Sequence, residues 1–109
     1  MSFDSIMAIK EFKRKNNLVN KEGCLFLAAV TAFVNNTTVF YGNVDCNFSY
    51  DYGYSQYEIT IDWLLSKQEL EQKGLHLGYN TNFQQFNCVN NELVITDKNT
   101  EITISFISD

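Results

Sequence analysis

The stretch that decides the fold is Val44–Leu64, VDCNFSYDYGYSQYEITIDWL. Side chains of a β-strand point alternately to its two faces, so a strand with one buried face alternates apolar and polar residues. This alternation occurs twice, over residues 44–52 and 56–64, and Gly53 lies in the connection, where a tight turn favours glycine. The stretch therefore predicts two antiparallel strands with an apolar face and an acidic face. The acidic face carries Asp45, Asp51, Glu58 and Asp62, and two tyrosines, Tyr52 and Tyr54, lie at the turn.

Two helices are predicted before this stretch. Residues 4–15 carry apolar side chains at helical spacing, and residues 21–35 contain the apolar run CLFLAAVTAFV. The alanine and leucine content of this run, residues 24–34, favours a buried helix. A fully buried strand is the alternative, because periodicity does not separate the two in a short apolar run.

A short helix and a meander of strands are predicted after it. Ser66 and Glu69 have the spacing of a capping box, so a helix is expected at residues 67–73, and Gly74 is suited to end it. Residues 75–82 are predicted to be a loop. Further strands are expected near residues 82–89, 92–96 and 101–107, with a short apolar run at 39–41 before the first hairpin.

Together these elements predict a single α+β domain over residues 1–109. The N-terminal helices should pack on a mostly antiparallel sheet of about five strands, with a short helix inserted near 67–73.

The charge of the chain is unevenly distributed. Residues 1–21 hold five basic and two acidic residues, whereas the rest of the chain holds three lysines and eleven acidic residues. No Lys or Arg occurs between residues 22 and 66. Lys10, Lys13, Arg14 and Lys15 are predicted to form a solvated face of the first helix that suits its C-terminal dipole. An acidic domain attracts basic partners and repels nucleic acid, so we expect a basic protein partner and no nucleic acid.

The sequence contains no motif for catalysis, a cofactor or a metal. The only histidine is His76, and three cysteines, Cys24, Cys46 and Cys88, are widely spaced in apolar runs, which is typical of buried free thiols in a reducing compartment. Neither zinc-ligand spacing nor a glycine-rich phosphate loop is present. We therefore expect a protein that is not an enzyme and that binds no cofactor or metal.

The sequence also predicts a soluble, cytoplasmic protein. The N-terminus does not have the pattern of a signal peptide. The longest apolar run has 11 residues, whereas a membrane-spanning helix needs about 20.

These features favour a protein-binding inhibitor. In its size, acidic charge, lack of a catalytic motif and acidic-aromatic run DYGYSQYEITID (residues 51–62), the chain resembles the immunity proteins of bacterial contact-dependent growth inhibition and related toxin systems. The resemblance implies a tight one-to-one complex that blocks a toxin domain, often a nuclease with a basic active site. The contact face is then expected to comprise Asp45, Asp51, Tyr52, Tyr54, Glu58 and Asp62.

Two other functions fit the sequence. A phage-type anti-defence inhibitor that mimics the charge of DNA has the same acidic character. A small ligand-binding domain is the second, with a pocket between sheet and helices and with His76 or a cysteine at its rim. That pocket is expected to be lined by Phe40, Tyr41, Phe83 and Phe86.

Overall fold

The elements follow the chain in the order helix, three strands, helix, four strands. They come from a computed structural model, which describes residues 2–18 and 25–107. The helices of this part of the chain are α1 (Ser2–Lys15) and α2 (Lys67–Lys73), and the strands are β1 (Leu25–Val34), β2 (Thr37–Asp51), β3 (Gln56–Ile61), β4 (Gly78–Asn80), β5 (Gln85–Val89), β6 (Glu92–Asp97) and β7 (Thr100–Phe106). All seven strands belong to one antiparallel sheet in the order β4-β3-β2-β1-β7-β6-β5. The fold is therefore α+β.

The predicted alternation of the β2–β3 hairpin is confirmed. Cys46 pairs with Ile61 and Phe48 with Ile59, and all four side chains are buried. Val44, Tyr57 and Trp63 are buried on the same face, and Tyr50 is half-buried at its end. This apolar face is the concave side of the sheet and forms most of the core.

The sheet is curled, and its two edge strands are brought near each other. In a flat sheet of seven strands, six spacings of about 4.8 Å separate the edge strands β4 and β5 by roughly 29 Å. The chain from Asn80 to Gln85 joins these strands directly, and it spans at most ~19 Å at about 3.8 Å per Cα–Cα step. The sheet therefore has to bend round until its two edges approach each other.

Helix α1 lies inside this curl and contacts strands from both ends of the sheet, β5 and β6 at one end and β3 at the other. Its Phe12 ring packs against Phe26 of β1 and Phe48 of β2, at centroid distances of 6.1 and 6.0 Å. The buried Ser5 hydroxyl accepts a hydrogen bond from the Phe86 N–H at 2.9 Å, on the free edge of β5. The helix thus fills the core and also covers an edge that would otherwise be open to pairing.

Helix α2 lies between β3 and β4 in the chain and contributes Leu70 to the core. The predicted capping box is present, because Ser66 Oγ accepts from the Glu69 N–H and the Glu69 carboxylate accepts from the Ser66 N–H. Gly74 ends the helix with a φ of 79°, a left-handed conformation that glycine adopts without strain. Leu70 of α2 is buried, and so is Leu75 just after the helix, so these two side chains attach this segment to the core.

Several predicted elements are corrected by the structure. The helix expected at residues 21–35 is wrong, because Leu25–Val34 is strand β1, while residues 19–24 lie outside the described part of the chain. The alternative prediction, a strand over residues 24–34, is confirmed from Leu25 onward. The predicted loop at 75–82 contains the short strand β4, which with β1 raises the described strands from about five to seven. Only one N-terminal helix, α1, therefore packs on the described sheet.

Lys13 is a further correction, because its predicted place on a solvated helix face is wrong. The residue is only 4% exposed, and its Nζ lies 5.9 Å from the centroid of the Tyr57 ring. Its alkyl stem contributes to the apolar side of α1, and the ammonium group faces an aromatic ring that attracts cations.

Candidate protein-interaction surface

Three of the predicted contact residues lie on the convex, outer face of the hairpin. Asp45 and Asp62 are neighbours, since the Asp62 N–H donates to the Asp45 carbonyl at 2.9 Å. Glu58 pairs with Ser49 further along the same face. Asp45 and Asp62 are exposed, and Glu58 is half-buried. Their side chains are set outward by the same alternation that buries Cys46 and Ile61.

The buried thiol of Cys46 is affected by this pair of carboxylates. Burial, and to a lesser extent the negative charges of Asp45 and Asp62, together raise its pKa to about 12. Cys46 is therefore a protonated, inert core residue at neutral pH. Of the other cysteines, Cys88 is a half-buried free thiol whose pKa is also raised, mainly by burial, and Cys24 lies outside the described residues.

The other three predicted contact residues lie at the hairpin turn, away from the Asp45–Asp62 pair. Asp51 Oδ1 accepts from the Gly53 N–H at 2.9 Å and from the Tyr54 N–H at 3.3 Å, so this carboxylate shapes the turn. Tyr52 and Tyr54 are exposed. Asp45 and Asp51 are six residues apart on β2, a distance of about 20 Å at ~3.4 Å per residue. The six residues therefore form a strip along the hairpin and not one cluster.

Sequence reasoning missed the apolar neighbours of this strip. Leu27 pairs with Asp45 and Leu25 with Asn47, and their side chains are 39% and 68% exposed. The helix prediction for this run concealed them. The sequence of β1 does not alternate between apolar and polar residues, because both faces of this strand are apolar, so it gave no indication of which side chains are exposed.

We define the outer patch as this surface of β1, β2 and β3, which combines the two leucines with the carboxylates of Asp45, Glu58 and Asp62. Within the described residues, none of these three carboxylates forms an ion pair with a Lys or Arg. The described basic residues lie elsewhere, on α1 (Lys10, Lys13, Arg14, Lys15), on α2 (Lys67, Lys73) and in the β6–β7 turn (Lys98). The outer patch is therefore negatively charged around an apolar edge.

The aromatic pocket considered as an alternative is not formed by its four residues. Phe86 is fully buried in the core, and Phe40 is half-buried with its ring 5.1 Å from that of Trp63. Tyr41 follows Phe40 on β2 and points to the opposite face, where it is exposed, and Phe83 is exposed in the β4–β5 turn. The four rings do not converge on one cavity.

His76 instead borders a different cavity, of about 440 Å³, between α2 and the loop that follows it. Its lining consists mostly of leucines: Leu65, Leu70, Leu75 and Leu77, together with Lys67, Glu71 and His76. The backbone of His76 is fixed on both sides, since its carbonyl accepts from Trp63 Nε1 and its N–H donates to the Tyr79 hydroxyl, both at 2.9 Å.

The described residues form neither a metal-ligand cluster nor a membrane-spanning helix. No group of three or more His, Cys, Asp or Glu side chains is placed to hold a metal ion. None of the helices in this part of the chain has the length and apolar character needed to cross a membrane.

Comparison of the chain with protein-family models, curated proteins and solved structures finds no match.

Proposed function

We propose that the chain is a protein-binding inhibitor that recognises a basic protein through the outer patch. The observation that carries the proposal is the composition of this patch. Carboxylates of Asp45, Glu58 and Asp62 stand next to exposed leucines, and no described Lys or Arg lies among them. Exposed apolar side chains contribute affinity when they are buried by a partner, and unpaired carboxylates accelerate and orient the encounter with a basic surface.

The most specific form of this proposal is an immunity protein. Its partner is a toxin domain with a basic active site, such as a nuclease, and binding masks that site in a one-to-one complex. The support for it is the negative patch, together with the resemblance in size and charge described above. Such a complex forms in the cytoplasm and involves neither nucleic acid nor a membrane.

The size of the outer patch sets a requirement on the interface. The patch spans three strands and, along β2, the five residues from Asp45 to Ser49, which gives an area of about 15 by 17 Å, or roughly 250 Å². A standard protein interface buries about 800 Å² on each partner. The partner must therefore also contact residues beyond one or both ends of the patch, where Tyr52 and Tyr54 or the region before α2 are found.

Affinity capture from a lysate of the source organism tests the proposal. The bait is the wild-type chain, and the matched control is a variant with Asp45→Asn, Glu58→Gln and Asp62→Asn. We expect one basic protein to be retained by the wild type and depleted with the variant. When that protein is expressed in a bacterial host, it should arrest growth, and co-expression of the wild-type chain should restore it. Retention of the same proteins by both baits, or a captured protein whose toxicity is unaffected, would refute the proposal.

A further inference from the structure

The chain leaves β3 through an unusual residue, Leu64. Its side chain is 77% exposed and its backbone φ is 57°, in the left-handed region. A left-handed conformation brings Cβ close to the following carbonyl oxygen, so it is unfavourable for a residue with a bulky side chain. The Leu64 N–H donates a long hydrogen bond of 3.4 Å to Asp62 Oδ1, which helps to hold this turn.

The other described left-handed residues show how unusual a leucine is here. They are Asn17, Asn35, Asn36, Ser55, Gly74, Asn90 and Lys98. Four are asparagines and one is glycine, the residue types that tolerate this conformation best. Of all the described residues in this conformation, Leu64 is the only one with a large apolar side chain. The molecule thus holds an exposed leucine in a strained turn, and nothing in its own packing requires the leucine there. Strain of this kind is found mainly at functional positions.

A second exposed leucine and the leucine-lined cavity lie beside this turn. Leu77 is 60% exposed and lines the cavity of about 440 Å³. Its carbonyl accepts from the Ile61 N–H at 3.1 Å, so it sits against the end of β3 from which Leu64 emerges. Leu65, the residue after Leu64, lines the same cavity. We call Leu64, Leu77 and this cavity the leucine anchor.

The charges around the leucine anchor favour a basic partner. At the cavity itself, Lys67 and Glu71 carry opposite charges, and His76 lies at the rim. Asp62 lies two residues before Leu64 and accepts a hydrogen bond from its N–H, and Asp45 is the neighbour of Asp62 on the outer patch. The Asp45–Asp62 pair therefore adds negative charge next to Leu64, where the chain passes from β3 to α2.

We propose that the leucine anchor is the apolar end of the interface with the basic partner. It accepts a segment of that protein in which a large apolar side chain stands next to Lys or Arg. The apolar side chain enters the cavity and covers Leu64 and Leu77, and the neighbouring cation contacts Asp62 and Asp45. This inference rests on the proposed function, and it specifies in which direction the interface extends beyond the outer patch.

A phage-displayed library of random peptides of about twelve residues, selected on the immobilised full chain, is the probe. We expect enriched peptides to combine Leu, Phe or Trp with adjacent Lys or Arg. The binding of synthetic copies is then measured by fluorescence polarisation. Leu77→Ser should weaken it about tenfold or more, as expected when a buried leucine is lost from an interface. Val89→Thr, at an exposed apolar position on β5 that does not line the cavity, is the matched control and should leave affinity unchanged.

The Leu64→Asn variant separates a loss of binding from a loss of folding. Asparagine tolerates the left-handed backbone, so we expect this variant to unfold at a higher urea concentration than the wild type and yet to bind the peptides more weakly. A lower unfolding midpoint would overturn the assignment of strain to Leu64. A wild type that dimerises in sedimentation, and becomes monomeric with Leu64→Asn, would show that a second copy covers the anchor and would overturn the proposed partner.

The outcomes also separate this inference from the proposed function. If Asp45→Asn with Asp62→Asn weakens peptide binding but Leu64→Asn and Leu77→Ser do not, the leucine anchor is refuted and the acidic interface is still supported. If none of the four substitutions changes peptide binding, both the leucine anchor and the acidic interface are refuted. Failure to enrich any peptide above a selection on the Leu64→Asn, Leu77→Ser variant overturns the anchor.

Discussion

Replacing Ser5 with alanine tests how the N-terminal helix closes the curled sheet. Ser5 is fully buried in α1, and its hydroxyl makes two contacts with the edge of the sheet. It accepts from the Phe86 N–H at 2.9 Å and donates to the Gln84 carbonyl at 3.4 Å. Phe86 is 1% exposed, so its N–H has no access to water once the hydroxyl is removed.

The expected loss of stability follows from these contacts. A buried N–H without an acceptor costs about 1–3 kcal/mol, and the lost hydrogen bond to Gln84 is worth roughly 0.5–1.5 kcal/mol. The better helix propensity of alanine returns about 0.5 kcal/mol. We therefore expect Ser5→Ala to lower the free energy of unfolding by about 1–4 kcal/mol.

Urea unfolding followed by the fluorescence of Trp63, the only tryptophan, measures this loss. The slope of the transition should not change, since the same surface is exposed on unfolding. Ser49→Ala, at an exposed serine on β2, is the control and should change stability by about 0.5 kcal/mol or less. Hydrogen exchange at the Phe86 amide should be accelerated by Ser5→Ala. A loss of less than about 1 kcal/mol, with the Phe86 amide still protected, would refute this account of how the edge is covered.

Two further predictions concern α2 and the core. Ser66→Ala removes the side-chain cap of α2 and should cost about 1 kcal/mol in urea unfolding, whereas Ser49→Ala, on strand β2, lacks this effect. An effect of Ser66→Ala no larger than that of Ser49→Ala would contradict the capping role. The pKa of Cys46 is raised to about 12 in the folded chain, mainly by burial. The stabilising effect of the protonated thiol is therefore complete below the pKa of an unfolded thiol, near 9, and is lost as pH rises toward 12. The free energy of unfolding of the wild type should therefore fall more steeply between these pH values than that of Cys46→Ala, and equal slopes would contradict the burial of the thiol.

The parts of the fold that the sequence predicted are those where side-chain type and backbone position agree. Residues 44–64 alternate because one face of the hairpin is buried and the other is wet, and the capping box at Ser66 is a local signal that needs no tertiary information. Strand β1 was missed because tertiary context decides it. Its inner face packs on the core and its outer face carries Leu25 and Leu27 in solvent, so the pattern that identifies a half-buried strand is absent.

The candidate site was predicted only in part for the same kind of reason. Its carboxylates followed from alternation, but the turn role of Asp51 depends on the conformation of the hairpin loop. The left-handed backbone of Leu64 has no signal in residue type, since a leucine in that conformation contradicts local preference. Places where local preference and the observed structure disagree are those at which a function is most usefully sought.

The central claim, that the acidic outer patch binds a basic protein, is tested most directly by the salt dependence of one affinity. The dissociation constant for the captured partner is measured between roughly 0.05 and 0.5 M NaCl, where screening of exposed charges changes most. The wild type is compared with the variant carrying Asp45→Asn, Glu58→Gln and Asp62→Asn. We predict that the variant binds about 10- to 100-fold more weakly at low salt and that its affinity depends much less on salt. Equal affinity and an equal salt dependence for the two proteins would contradict the claim.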